Sequence, residues 1–191
     1  MKVRSGRGVM AVAFHLYSKR FWTMAKVVWP WLIVAAVIYT GIAMMIDYTN
    51  YVLVPLVAAA LLAELALWTR TSCWLTQRPL RNVLRAAKKH WLLLIGIAVL
   101  GTLLTLPVCA VVSLPFIILM LAHWESLYGI SMGDPISMPT YYIYIAIATC
   151  FITAILHICI RLYILFLGYY AWGSAETRKQ EREQQRLNLI Q

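Results

Sequence analysis

VVWPWLIVAAVIYTGIAMMI, residues 27–46, holds twenty residues and no charged side chain. At 1.5 Å per residue a helix of that length spans about 30 Å, the thickness of a bilayer's hydrocarbon core. The run ends at a polar turn, Asp47, Tyr48, Thr49, Asn50 and Tyr51, and a second apolar run, residues 52–68, follows at once. Such spacing predicts an antiparallel pair of membrane-spanning helices. A third run, 91–122, and a fourth, 141–172, repeat the alternation, so the fold class expected is an all-α integral membrane protein with four transmembrane helices.

Composition agrees with this reading. Of 191 residues, 62% are hydrophobic and 13% charged, whereas soluble domains run near half apolar and a quarter charged. No separate soluble domain is expected. The apolar stretch near the N-terminus, Val9 to Phe14, runs into His15, Lys19 and Arg20, which argues against a cleavable signal.

Charge placement sets the orientation. Sixteen of the seventeen Lys and Arg residues lie outside the apolar runs, Arg161 being the exception. They cluster in residues 1–26, in the loop 69–90 and in the tail 173–191, which the positive-inside rule assigns to the cytoplasm. The 123–140 segment, with Glu125 and Asp134, is then the one sizeable external loop. Tryptophans and tyrosines flank the runs as two interfacial belts, Trp29, Trp68, Trp91 and Trp172 inside, Tyr48, Trp124, Tyr141 and Tyr142 outside. A bacterial inner membrane is the expected location, with both termini cytoplasmic. Orientation already accounts for the formal charge of +10, so nucleic acid is not an expected partner.

The third run is too long for one untilted crossing and too short for two. Its 32 residues would make a helix of roughly 48 Å. Pro107 and Pro115 predict a kinked helix that either tilts or leaves the membrane near Ser113.

Two amphipathic segments precede spans one and three. Phe14, Tyr17, Phe21, Met24 and Val28 follow three-and-four spacing opposite His15, Lys19, Thr23 and Lys26. Leu80, Val83, Leu84 and Ala87 similarly oppose Arg81, Arg85 and Lys88, with Pro79 fitting a first turn. Both suit interfacial helices, and Lys19, Lys26, Arg81, Arg85, Lys88 and Lys89 are the expected contacts with anionic lipid. The two segments also match at an offset of 62 residues, with Trp29 on Trp91, Leu32-Ile33 on Leu94-Ile95 and Thr40 on Thr102. A two-fold internal repeat would place two halves about an axis along the membrane normal.

Ionisable residues inside apolar runs are functional candidates by default. Glu64, His157 and Arg161 are those residues, and His157 and Arg161 stand one helical turn apart. They read either as a ligand or proton site or as an interhelical polar clasp, with Glu64 and Arg161 expected to pair. The four cysteines, Cys73, Cys109, Cys150 and Cys159, show no metal-ligand spacing. Ser113 and the loop serines fall in no GxSxG, and no nucleotide or haem motif is present. No metal and no cofactor are expected.

These features favour a non-catalytic subunit or scaffold that assembles with other membrane proteins or with itself. A small transporter or channel using Glu64, His157 and Arg161, and a lipid-acting membrane enzyme, are the alternatives.

Overall fold

The computed structural model describes residues 6–45, 50–77, 79–133 and 138–190. The first helix, α1 (Gly6–Met45), is continuous through the basic residues Lys19, Arg20 and Lys26 and through Pro30. Lysine and arginine interrupt an apolar run without interrupting a helix, because their straight side chains are good helix formers. Pro30 removes the N–H that would bond the Lys26 carbonyl and crowds that carbonyl with its ring, yet the helix continues past it. The amphipathic segment before span one is thus the first part of the same helix as the span.

Four further helices follow: α2 (Asn50–Thr76), α3 (Leu80–Lys89), α4 (Trp91–Ser131) and α5 (Tyr142–Ile190). No strand occurs among the described residues. Four helices, over Met10–Met45, Leu53–Thr76, Trp91–Ser131 and Tyr142–Gln185, are long and apolar enough to cross a membrane. The chain is an all-α integral membrane protein.

Helix α4 passes Pro107 and Pro115 without a break and continues through His123 and Gly129 to Ser131. A glycine inside a helix costs only about 1 kcal/mol, and Trp124, Leu127 and Ile130 keep the segment apolar, so the loop begins later than residue 123. The segment after residue 172 is likewise helical, as the end of α5.

Between α2 and α4 the chain turns twice. Gln77 adopts a left-handed backbone, φ 52°, and Pro79 follows. The Pro79 carbonyl then accepts the N–H groups of Asn82 at 2.9 Å and Val83 at 3.3 Å, closing the first turn of α3. His90 forms a second turn, and its carbonyl accepts the N–H of Leu94 at 3.0 Å as α4 begins. The segments matched at 62 residues therefore differ in backbone: α1 is unbroken at Val28-Trp29, whereas the chain turns at His90 before Trp91.

The helices gather into two compact units. Unit 1 comprises Met1–Trp29, Leu67–Leu104 and Arg161–Gln191; unit 2 comprises Pro30–Ala66 and Thr105–Ile160. In unit 1 a row of aromatic contacts flanks a mostly aliphatic core. Tyr17 of α1 meets Phe166 and Tyr163 of α5 edge-on, with ring centroids 5.3 and 5.8 Å apart. Phe14 meets Tyr163 at 6.2 Å, and the Tyr163 hydroxyl donates to the Met10 carbonyl at 3.4 Å. Met24, Val28, Leu67, Leu162 and Phe166 are fully buried beside them. The N-terminal half of α1 is thus packed against α5.

Unit 2 is built differently. Its buried apolar residues are mostly alanines, Ala35, Ala36, Ala60, Ala63 and Ala146, with Leu32, Cys150 and Ile158. Small residues let helix backbones approach closely where lipid removes the hydrophobic drive to associate.

Candidate functional site: polar contacts inside the apolar spans

Unit 2 holds two of the three intramembrane ionisable residues, each on a hydrogen bond that joins two helices. Glu64 lies on α2 one turn after Ala60 and next to Ala63. Its carboxylate accepts a hydrogen bond of 2.7 Å from the Tyr39 hydroxyl of α1. The tyrosine body is apolar and its hydroxyl polar, so it brings a donor into a span without exposing a charge to lipid. Neighbouring Thr40 is buried, and its hydroxyl donates to the Ala36 carbonyl at 2.8 Å.

His157 of α5 meets α4. Its Nε2 is 3.0 Å from Ser113 Oγ and 3.1 Å from the Cys109 carbonyl oxygen. Ser113 Oγ donates to the same carbonyl at 2.8 Å. A carbonyl can only accept, so the contact with Cys109 is attractive only if Nε2 carries the proton, which it shares between the carbonyl and Ser113 Oγ. The consequence is chemical. A serine nucleophile needs its hydroxyl proton directed at an unprotonated imidazole nitrogen, whereas here the hydroxyl proton points at Cys109 and the imidazole acts as donor. The arrangement ties α4 to α5 instead of activating Ser113.

Nearby, the Tyr142 hydroxyl of α5 donates to the Leu119 carbonyl of α4, and His123 stacks on the Tyr142 ring with centroids 5.6 Å apart. Thr105 and Thr153 are also buried in this unit.

Arg161 lies in unit 1 and is exposed. Glu64 and His157 both lie in unit 2, on separate polar contacts. Lys19, Lys26, Arg81, Arg85 and Lys88 are exposed in unit 1; the Lys89 side chain and Asp134 lie outside the described residues. Among the described residues no group of three or more His, Cys, Asp or Glu side chains could hold a metal ion.

Two residues whose packing role the sequence did not reveal complete these contacts. Tyr39 sits in the middle of an apolar run, far from either aromatic belt, and that position is the signal that its hydroxyl needs an internal partner. Ser113 drew notice as a nucleophile outside any motif; its place two residues before Pro115 in an apolar helix marks it as a polar helix-packing residue.

The sequence places its charges with equal clarity. All seventeen Lys and Arg residues fall within 1–29, 67–104 and 161–191, and the remaining stretches carry Asp47, Glu64, Glu125 and Asp134 with no Lys or Arg. Compared with family models, with curated proteins and with solved structures, the chain matches none.

Proposed function

We propose that this chain is a non-catalytic subunit or scaffold of a bacterial inner membrane, oriented with both termini in the cytoplasm, that assembles with another membrane protein along α4. The observation that carries the reading is the bareness of that helix. Only 6% of its most apolar stretch is buried within the chain, against 28% for the corresponding stretches of α1 and α5. Its 41 residues make about 61 Å of helix, roughly twice the hydrocarbon thickness. Even a strong tilt leaves apolar turns that lipid tails do not cover. In unit 2, Leu106, Leu114, Ile118, Leu121, Trp124 and Tyr128 recur at helical spacing and are exposed, which suits a partner helix. The donor role of His157 toward Ser113 supports the non-catalytic part of the reading.

Photo-crosslinking residues placed at Ile118 and Leu121, followed by gentle affinity purification and mass spectrometry, test it. A discrete protein adduct at these positions is expected. Lipid adducts alone, from a chain that purifies by itself, would overturn the proposal.

A second reading has one specific observation in its favour. The Tyr39–Glu64 bond keeps an ionisable carboxyl inside an apolar span, as proton-coupled transporters do. Reconstituted vesicles showing proton flux that Glu64→Gln abolishes would favour this reading over the scaffold.

A further inference from the structure

We propose that α3 is an in-plane membrane helix that binds the anionic phospholipid headgroups of the bilayer crossed by its neighbours. The inference goes beyond the assembly role above and does not depend on it, since it needs only the membrane spans. Helix α3 has ten residues, long enough to have faces. At 100° per residue Leu80, Val83 and Leu84 fall on one side and Arg81, Arg85 and Lys88 on the flank beside it.

The folded chain does not cover that apolar side. Leu80 is 42% and Leu84 58% exposed, and Trp91 at the start of α4 is 56% exposed. Two leucines on a short, highly charged helix gain nothing by facing water. Some apolar phase must cover them, and the chain's connections say which. Helix α3 is tied by Gln77 to Pro79 at one end and by His90 at the other to two helices long enough to cross a membrane, so it cannot leave the boundary where those helices emerge.

The left-handed Gln77 and the turn at His90 set α3 off from both neighbours, and these two breaks let it change direction relative to the spans. His90 Nε2 lies 3.6 Å from the Glu176 carboxylate of α5, beyond hydrogen-bond distance. A helix so placed rests its leucines at the headgroup–acyl boundary and its cations among phosphates.

Charge selects the lipid. Residues 69–90 contain Arg70, Arg78, Arg81, Arg85, Lys88 and Lys89 and no Asp or Glu. A zwitterionic surface covers the leucines and offers phosphates whose charge its own choline groups offset, whereas an anionic one adds a net negative potential that attracts the cations. Each cation near such a surface contributes about 1 kcal/mol, roughly a fivefold gain in local lipid preference.

The test uses the full chain in nanodiscs of phosphatidylcholine alone and of phosphatidylcholine mixed with phosphatidylglycerol. Hydrogen exchange across residues 79–89 should slow in the anionic discs and recover its faster rate in high salt, which screens these contacts. Phosphatidylglycerol retained through detergent extraction should fall at least tenfold in the Arg81→Gln/Arg85→Gln/Lys88→Gln variant, and should fall also in Leu80→Asn/Leu84→Asn. The exchange measurement uses the unaltered chain, so it stands even if a variant folds poorly. Equal protection in both discs would overturn the proposal, as would phosphatidylglycerol retention unchanged in both variants; the second result would point to a soluble protein or nucleic acid as the partner of this basic face.

Discussion

His157 Nε2 and Ser113 Oγ stand 3.0 Å apart, a bond between side chains 44 residues distant that joins α5 to α4 within unit 2. Since Nε2 must donate, a glutamine, whose amide places an N–H near the same position, should keep most of the contact. His157→Leu should lower stability by about 0.5–1.5 kcal/mol, the usual size of an interhelical hydrogen bond in a membrane, and His157→Gln by less. Thermal denaturation in detergent measures the difference. Equal losses for the two variants would show that the ring fills space and does not donate.

The Tyr39–Glu64 bond makes a parallel prediction. Tyr39→Phe removes a donor from a carboxylate in an apolar span and should cost about 1.5–3 kcal/mol, the range for hydrogen bonds to charged groups. Glu64→Gln retains an acceptor for Tyr39 and should cost less. The same denaturation assay reads both, and a larger loss for Glu64→Gln would mean that the charge matters more than the bond.

The contacts of Glu64 and His157 illustrate how far the sequence could be read. Apolar run lengths predict four spans because hydrocarbon thickness imposes them directly, and charged residues inside those runs are conspicuous for the same reason. Partners are harder. Tyr39 and Glu64 are 25 residues apart on different helices, and nothing in either helix's periodicity fixes the rotation of one against the other. Element ends fail differently. Lys19, Arg20 and Lys26 end an apolar run without ending α1, and the polar residues after Ala122 announce a loop that begins only beyond Ser131, because polarity and helix propensity are separate properties.

Two glycines of α4 should respond oppositely to the same change. A Cβ at Gly101 would lie 3.1 and 3.2 Å from the γ carbons of Ile164, so Gly101→Ala forces this α4–α5 contact apart and should destabilise the chain by about 1–3 kcal/mol. Nothing lies within 4 Å of the corresponding position at Gly96. Gly96→Ala should be neutral or stabilising by up to about 1 kcal/mol through helix propensity. Melting temperatures moving together would contradict the packing difference.

Gln77 bears a backbone strain that glycine relieves. Its φ of 52° lies where a side chain costs about 1–2 kcal/mol. Gln77→Gly should leave stability unchanged or raise it, and Gln77→Val, branched at Cβ, should lower it by at least as much as the strain. Denaturation of the three forms in one detergent checks the order.

Orientation can be measured directly. In a variant lacking the four native cysteines, an impermeant thiol reagent added outside should label Ser131→Cys and spare Arg85→Cys and Arg182→Cys, all three being exposed positions. Labelling at residue 85 from outside would invert the topology.

The confinement of every Lys and Arg to three stretches of the chain bears on how copies can meet. In an energised membrane, turning one molecule over would drag its cations through the electric field at about 2.3 kcal/mol per charge per 100 mV. Seventeen such charges make that barrier larger than the free energy of any helix contact described above. Upside-down copies are therefore expected to be absent. Under the orientation proposed above, two molecules in one bilayer are expected to pair side by side, related by rotation about the membrane normal.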